Sequence, residues 1–356
     1  MAKLLMKGNE AIAEAAVRAG CRFFFGYPIT PQNQIPEYMS RRLPEVGGTF
    51  LQAESEIGAI NMVFGAAGAG ARVMTSSSSP GISLKQEGIS YIAGAELPCV
   101  IVNIVRSGPG LGGILAAQSD YFQATRGGGH GDYRTVVLAP SSVQEAANLV
   151  MESFDIADTY RIPVLVFGDG MIGQMMEPVE FKPVKKRKLP EKTWAVTGSK
   201  KNEKKKLITS LYIQAADMQQ KANALQARYD QIKEKETKHE EYMMDDAECC
   251  IVAYGSTSRV ARNAIKKARE AYGIKAGLIR PVTLWPFPDK PIAEAAKKVD
   301  AFLAVEMSMG QMVEDVRLAV NGRKPVGFYG TAGGVVPNPN VIIDKLAALK
   351  GEKRHG

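Results

Sequence analysis

Residues that could carry out chemistry stand at the ends of four apolar runs near the start of the chain. They are Thr30, the pair Glu54 and Glu56, the hydroxyl-rich stretch Ser76–Ser79, and Arg106. A carboxylate can hold or transfer a proton, a hydroxyl group can donate a hydrogen bond, and a guanidinium can grip a carboxylate through two parallel hydrogen bonds. This set of residue types favours a binding or catalytic site over a scaffold role.

The apolar runs are continuous rather than alternating, and helical patterns separate them. Such runs predict parallel strands that are covered on both faces. Because ligands bind at the carboxyl ends of strands in such sheets, we expect all four groups to lie along one edge.

The residues around the two acids predict a strand over Thr49–Gln52, a helix over Ile57–Gly70 and a loop over Ser76–Gly81. The helix is so rich in Gly and Ala that we expect it to lie close against other backbone. For Glu54 and Glu56 a plainer alternative stays open. Both could be solvated, or Glu56 could only complement the positive end of the helix.

The turn Tyr27–Pro31 contains two prolines and leads into a predicted helix over Pro31–Leu43. Thr30 is expected to cap that helix, with Pro31 at its first position. For Arg106 the plainer alternative is a salt bridge at a strand end.

A chain of 356 residues predicts about two domains. We expect an α/β protein with two doubly wound parallel-sheet domains at residues 1–181 and 248–356. Residues 182–247 are predicted to join them through a basic linker and a long helix.

The joining segment has two distinct parts. Lys182–Lys206 holds eleven Lys and Arg residues against two acids. Apolar residues then recur from Ile208 to Ile232 at spacings of three and four, which predicts a heptad seam over more than three heptads. The helix could lie on its own chain or contact a neighbouring subunit.

Composition excludes several classes of protein. The net charge of +8 is concentrated in the joining segment, without interleaved aromatic residues, so we expect no nucleic-acid partner. No run of 18 apolar residues occurs and the start lacks a signal peptide, so we expect no membrane span. The four cysteines form no C-x-x-C pair, so we expect no metal or iron–sulfur site made by this chain alone and a cytoplasmic location.

Three local motifs are weak. Gly108–Gly113 has G-x-G-x-x-G spacing, but it lies within the long loop Gly108–Gly131, for which we expect a flexible lid. Gly168–Gly170 resembles the start of a magnesium–diphosphate motif but lacks the later Asn pair, so a strand-end turn is expected. Ser76–Ser79 has no partner histidine nearby in sequence, and His130 alone is a weak candidate.

Four motifs together resemble one family. They are Tyr27–Pro31, Glu54–Ala59, Ser76–Gly81 and Arg106–Pro109. The chain resembles the alpha-type subunit of 2-oxoacid:ferredoxin oxidoreductases over essentially its whole length.

Two longer runs, 52–91 and 120–134, are most similar to the branched-chain (2-oxoisovalerate) subgroup. The motifs are specific for the family and less specific for the substrate.

The resemblance implies a pyrimidine-binding domain of a thiamine-diphosphate enzyme, followed by a domain similar to the transketolase C-terminal domain. Glu56 would meet N1′ of the aminopyrimidine, and Pro28 and Ile29 would belong to the cofactor-binding turn. Thr30 and Arg106 match the family's substrate-contacting positions. No role for Glu54 follows from the resemblance.

The resemblance also implies partner subunits. A beta-type subunit would share the thiamine diphosphate and hold its Mg²⁺. Gamma-type and ferredoxin-like delta subunits would complete the complex, with [4Fe–4S] clusters in partners rather than in this chain. The expected reaction converts a 2-oxoacid, CoA and oxidised ferredoxin to acyl-CoA, CO2 and reduced ferredoxin.

Alternatives to 2-oxoisovalerate remain open at this point. The same reaction could act on 2-oxoglutarate or pyruvate. The chain could instead belong to a thiamine-dependent 2-oxoacid decarboxylase without redox chemistry, or serve only as an interaction subunit.

Overall fold

Two parallel sheets covered by helices organise the chain in this computed structural model, which describes residues 3–182, 187–198 and 205–351. In chain order, the strands among these residues are β1 (Leu4–Lys7), β2 (Phe23–Gly26), β3 (Thr49–Gln52), β4 (Val73–Ser77), β5 (Cys99–Val105), β6 (Val136–Leu138), β7 (Pro163–Asp169), β8 (Met176–Val179), β9 (His239–Tyr242), β10 (Cys249–Val252), β11 (Ala276–Pro281), β12 (Thr283–Trp285), β13 (Ala301–Glu306) and β14 (Val326–Gly330). The helices are α1 (Gly8–Arg18), α2 (Gln34–Glu45), α3 (Glu56–Gly68), α4 (Ser79–Gly94), α5 (Tyr121–Arg126), α6 (Val143–Tyr160), α7 (Gly170–Gln174), α8 (Ala215–Glu236), α9 (Gly255–Tyr272), α10 (Asp289–Ala295), α11 (Met312–Val320) and α12 (Pro339–Leu349).

The first sheet has the strand order β12-β6-β7-β5-β4-β2-β3, and every pair in it is parallel except β12 with β6. From β2 the chain passes to β3 on one side and then to β4 on the other. The connections therefore diverge between β2 and β4, and a crevice forms outside the carboxyl ends of those two strands.

The second sheet has the order β14-β13-β10-β11-β9 and is parallel except for the edge strand β9. The predicted α/β class with parallel sheets is confirmed. Side chains such as Val102 and Leu303 are fully buried because helices cover both faces of each sheet.

A strand from the second half of the chain completes the first sheet, which the sequence did not predict. β12 pairs antiparallel with β6, so that Thr283 lies opposite Leu138. The buried core is continuous across this junction, where Trp285 packs edge-on against Tyr229 of α8 at 5.6 Å between ring centroids.

The predicted heptad seam is wrong at its start, because α8 begins at Ala215. Ile208 and Leu211 lie before the helix, where the Thr209 hydroxyl accepts a hydrogen bond from the Leu211 N–H at 3.0 Å. Such local bonds compete with helix formation. Leu225 and Ile232 are buried against the same chain, whereas Leu211 is 72% exposed.

The predicted basic linker is described only in part, because residues 183–186 and 199–204 lie outside the described residues. The described part packs on its own chain. Arg187 pairs with Glu236 at 2.5 Å and Glu152 at 2.8 Å, and Lys192 pairs with Asp158 at 2.6 Å.

Candidate active site

The carboxyl edge of the first sheet brings the predicted site residues together at the crevice between β2 and β4. The turn after β2 carries Pro28, Ile29 and Thr30, the corner after β3 carries Glu56, and Arg106 follows β5 directly. The expectation of one shared edge is confirmed by this strand order.

Burial separates the two acids of the corner. Glu56 is the first residue of α3 and only 6% exposed, while Glu54 is exposed. Ser55 caps α3 by accepting a hydrogen bond from the Gly58 N–H at 3.1 Å. Glu56 lies in the first turn of the helix, where a carboxylate also complements the positive end of the helix. The alternative that both acids are solvated is therefore wrong for Glu56.

Gly81 shapes the wall of the crevice beside Glu56. A Cβ atom at this position would lie 2.6 Å from Oε1 of Glu56 and would also collide with Oγ of Ser77. Glycine is thus required for the first turn of α4 to approach the start of α3. Gly81 belongs to α4, whereas an added Cβ atom at Gly65 or Gly68 of the Gly- and Ala-rich helix α3 would meet nothing within 4 Å. The predicted close approach of α3 to other backbone is therefore not found at these two glycines. The predicted loop Ser76–Gly81 is also wrong. Ser76 and Ser77 end β4, and α4 begins at Ser79.

Three buried polar atoms at the carboxyl ends of β4 and β5 lack hydrogen-bond partners among the described residues. The hydroxyl oxygens of Ser77 and Ser78 and Nε of Arg106 are buried and have no hydrogen-bond partner among the described residues. Buried polar atoms normally find a partner, so atoms of this kind mark a place where a ligand can supply one.

Arg106 is 7% exposed and is held by carbonyl groups rather than by a carboxylate. Its Nη1 donates to the Thr30 carbonyl and its Nη2 to the Leu111 carbonyl, each at 3.1 Å. The Ser79 hydroxyl bridges the Arg106 backbone N–H and C=O, also at 3.1 Å. These contacts fix the guanidinium without neutralising it, in contrast to a strand-end salt bridge.

Thr30 does not cap a helix. α2 begins at Gln34, after Asn33. The side chain of Gln32 is fully buried and ties the turn to β4, accepting a hydrogen bond from the Ser76 hydroxyl at 2.5 Å and donating to the Tyr27 carbonyl at 3.2 Å. Thr30 itself is exposed, so its hydroxyl is accessible to a ligand or a partner chain.

Two functional candidates were missed by sequence reasoning. Lys85 on α4 is fully buried, and burial lowers its pKa to about 7 although the nearby Glu56 acts in the opposite direction. Burial also raises the pKa of the Asp120 carboxyl, against hydrogen bonds from Ser79 and Asn103. From the sequence, a lysine in a helix and an acid in a loop are both expected to be exposed to solvent. No neighbouring residue in the sequence predicted that Lys85 would be buried and Asp120 partly buried.

The long loop after β5 runs between the two sheets. Gln118 fastens it to the second sheet by donating to the Tyr254 carbonyl at 3.0 Å and accepting from the Met307 N–H at 3.0 Å. A cavity of about 670 Å³ lies between Ser107–Gly110 of this loop and Met307–Met309. The lid role stays a prediction.

Gly168–Gly170 and His130 can be placed in the fold. Asp169 is the last residue of β7, and it caps α7 by accepting from the Met171 N–H at 3.0 Å and also accepts from the Ser256 hydroxyl at 2.6 Å. β7 passes directly into α7 at Gly170, so the predicted strand-end turn at Gly168–Gly170 is wrong. His130 is exposed and lies beside Ser90, away from Ser76–Ser79. Among the residues that the structure describes, no cluster of His, Cys, Asp and Glu could hold a metal ion. Within the same residues, no helix is long and apolar enough to cross a membrane.

Two family models cover most of the chain. Residues 14–246 match the thiamine-diphosphate-binding region of pyruvate flavodoxin/ferredoxin oxidoreductases, and residues 247–342 match core domain II of pyruvate:ferredoxin oxidoreductase.

Similar proteins agree with these matches. The chain is 50% identical to the ketoisovalerate oxidoreductase subunit VorB of Methanothermobacter thermautotrophicus over 352 residues, covering 99% of both chains. It is 38% identical to the 2-oxoglutarate synthase subunit KorA of Methanocaldococcus jannaschii, covering 95% of this chain and 97% of that protein.

A solved structure of the 2-oxoglutarate:ferredoxin oxidoreductase of Magnetococcus marinus superimposes with a TM-score of 0.87 at 26% identity. The match covers 98% of this chain and 65% of that one. The resemblance to an alpha-type subunit is therefore confirmed, and the chain belongs to the family of 2-oxoacid:ferredoxin oxidoreductases.

Proposed function

We propose that this chain is the pyrimidine-side subunit of an enzyme that oxidatively decarboxylates a branched-chain 2-oxoacid, 2-oxoisovalerate. CoA accepts the acyl group, and ferredoxin accepts the electrons. The observation that carries the proposal is a buried carboxylate, Glu56, on the same sheet edge as a buried arginine, Arg106, that has no carboxylate partner among the described residues. The identity of 50% to a ketoisovalerate subunit, against 38% to a 2-oxoglutarate subunit, supports the branched-chain substrate.

The residues at the crevice fit an aminopyrimidine. Glu56 offers a carboxylate in a buried position, Gly81 leaves the adjacent space free of a side chain, and the Ser77 and Ser78 hydroxyls have no partner in the described part of the chain. Thiamine diphosphate, when bound, supplies a carbon nucleophile for the 2-oxo carbon and takes up the electrons left when CO2 departs. Glu56 would hold a proton at N1′, and Pro28 and Ile29 would border the same ring.

Arg106 would bind the carboxylate of the 2-oxoacid. A guanidinium has five N–H donors, and the carbonyl groups of Thr30 and Leu111 use two of them. Nε is buried and lacks a partner in the described structure, so a bound carboxylate would supply the partner it lacks. The Thr30 hydroxyl would contribute a second contact to the substrate.

The remaining parts of the complex follow from this assignment. The chain is one subunit of a multisubunit enzyme. A beta-type subunit would supply the diphosphate and Mg²⁺ contacts, and gamma-type and ferredoxin-like delta subunits would complete the complex with [4Fe–4S] clusters. The division of this chain at residues 1–181, 182–247 and 248–356 and a cytoplasmic location belong to the same proposal.

Substrate comparison tests the proposed function. The purified complex should reduce ferredoxin or a viologen dye only when both CoA and a 2-oxoacid are present, with a higher kcat/KM for 2-oxoisovalerate than for pyruvate or 2-oxoglutarate. CO2 release without dye reduction would identify a decarboxylase without redox chemistry. A preference for 2-oxoglutarate would overturn the branched-chain assignment and leave the reaction class intact.

A further inference from the structure

Leu111 belongs to the glycine motif Gly108–Gly113, which the proposed reaction leaves without a role. Gly110 and Gly112, on either side of the leucine, have positive φ angles of 67° and 57°, which glycine adopts without strain. A Cβ atom at Gly112 would collide with the Ser107 carbonyl, which accepts a hydrogen bond of 2.9 Å from the N–H of the last glycine of the motif. The motif therefore folds back on its own start, with Leu111 in the bend.

This bend is fastened to the proposed substrate site. The Leu111 carbonyl accepts a hydrogen bond from Nη2 of Arg106 at 3.1 Å. The Cα atom that carries the Leu111 side chain is bonded to that carbonyl carbon, so the side chain begins next to the guanidinium. Leu111 is thus joined directly to the residue that would bind the carboxylate of the 2-oxoacid.

The Leu111 side chain is open to solvent. It is 85% exposed, whereas Arg106 is 7% exposed. Single exposed leucines are common on protein surfaces, so exposure alone indicates nothing. An open apolar side chain attached to a guanidinium that has no carboxylate partner among the described residues indicates more, because a ligand bound to that guanidinium could cover it.

A branched-chain 2-oxoacid carries its apolar group close to its carboxylate. In 2-oxoisovalerate only the 2-oxo carbon separates the carboxylate from the branched carbon, so a carboxylate bound at Arg106 would bring the methyl groups near Leu111. 2-Oxoglutarate has a second carboxylate in its side chain, which would need a cation. The cavity beside the bend, between Ser107–Gly110 and Met307–Met309, has no Lys or Arg among its described lining residues. Both features favour an uncharged side chain.

We propose that Leu111 is a specificity-determining residue, whose side chain packs against the branched apolar group of a 2-oxoacid bound at Arg106. This inference rests on the proposed function, because it takes Arg106 as the residue that binds the carboxylate. Contact between the two apolar groups removes the surface of both from water. The glycine motif then presents an apolar side chain to the substrate and does not bind a dinucleotide.

The substrate preference of the assembled complex tests the inference. The kcat/KM for 2-oxoisovalerate, pyruvate and 2-oxoglutarate would be measured by viologen reduction for the wild type, L111A and L111K. We expect L111A to lower kcat/KM for 2-oxoisovalerate about tenfold relative to pyruvate, which has only one methyl group to lose contact. L111K supplies a cation and should raise kcat/KM for 2-oxoglutarate about tenfold relative to pyruvate.

Leu115 provides the matched control. It is a leucine of the same loop and 58% exposed, but its side chain lies against Gly334 and leaves no room there for a Cβ atom. L115A should therefore keep the wild-type ratio of kcat/KM for 2-oxoisovalerate and pyruvate. Gel filtration would establish that each variant assembles.

Each outcome has a distinct meaning. Equal losses for all three acids in L111A, wild-type ratios in both Leu111 variants, or the same shift in L115A would overturn the role of Leu111 and leave the proposed function intact. An L111A chain that fails to assemble would mean that this side chain packs on a partner subunit, and it would also overturn that role. A wild-type preference for 2-oxoglutarate would overturn the branched-chain assignment and the inference together. A wild-type complex that reduces no dye with any of the acids would overturn the proposed function itself.

Discussion

Nη1 of Arg106 donates a hydrogen bond of 3.1 Å to the backbone carbonyl of Thr30. The bond joins the ends of β5 and β2, which are separated in the sheet by β4. It therefore spans the crevice opened by the diverging connections. Two residues that the family resemblance assigns to the substrate are in contact, through the Thr30 backbone rather than its hydroxyl.

Replacement of Arg106 should act mainly on substrate binding. We expect R106A to raise KM for the 2-oxoacid about 10- to 100-fold, since a hydrogen bond to a charged group contributes roughly 1.5–3 kcal/mol. KM for CoA should change much less. Steady-state kinetics of the purified complex would measure both constants.

Arg134 provides a matched control, because it also donates to backbone carbonyls, those of Thr125 and Arg126 at 3.2 Å, away from the crevice. R134A should leave KM for the 2-oxoacid unchanged. An equal rise in both variants would mean that lost loop support, and not lost substrate contact, explains the effect of R106A.

Addition of one methyl group at Gly81 should disturb Glu56. The Cβ atom of G81A would lie 2.6 Å from Oε1 of Glu56, closer than real contacts allow, so either the carboxylate or the start of α4 must move. We expect a loss of thiamine diphosphate affinity of about tenfold or more and a lower melting temperature, because overpacking costs about 1–3 kcal/mol. Calorimetry and thermal melting would measure the two effects.

Gly68 of α3 is the comparison, since a Cβ atom there would meet nothing within 4 Å. G68A should keep the wild-type affinity and melt at the same or a higher temperature, because Ala favours helix more than Gly by about 1 kcal/mol. Tight cofactor binding by G81A would contradict the close approach of α4 to Glu56.

Because Lys85 is buried, we expect the free energy of unfolding to increase as the pH rises from about 7 to 10. Burial lowers the pKa of Lys85 from 10.5 to about 7 in the folded state. Between these values the unfolded chain binds a proton that the folded chain does not, so the Lys85 contribution to the free energy of unfolding increases with pH. The slope is at most ~1.4 kcal/mol per pH unit.

K85M removes this dependence. The melting temperature of K85M minus that of the wild type should be most positive near pH 7 and should decrease toward pH 10. Scanning calorimetry at several pH values would measure the difference. K297M, at an exposed lysine paired with Glu294, should show no such trend. A K85M difference that is constant with pH would mean that the amine does not lose its charge in this range.

The sequence predicted those elements whose pattern is local. β3 has the predicted bounds Thr49–Gln52, because it is a short run that ends at the corner before α3. The corner at Glu56 was predictable for the same reason, since a strand, a capping serine and a helix follow one another within a few residues.

Features that depend on distant contacts were not predictable from the sequence. β12 joins the first sheet through pairing with Leu138, more than a hundred residues earlier in the chain. The burial of Lys85 depends on how α4 packs against β4. The spacing of apolar residues along α4 does not predict that packing. α8 begins later than its heptad pattern predicts. The same apolar spacing is already present in the residues before the helix, which are not helical.

The buried carboxylate at the crevice is the central claim, and a paired substitution tests it most directly. The complex containing E56Q would be compared with one containing E54Q, since Glu54 lies two residues away but is exposed. The measurement is CO2 release from 2-oxoisovalerate by the assembled complex in the presence of CoA and a viologen dye. We expect E56Q to lose at least about 100-fold in rate while it still assembles, because proton transfer by a positioned side chain contributes about 10²–10⁴-fold. E54Q should retain the wild-type rate. Normal turnover by E56Q would contradict the account.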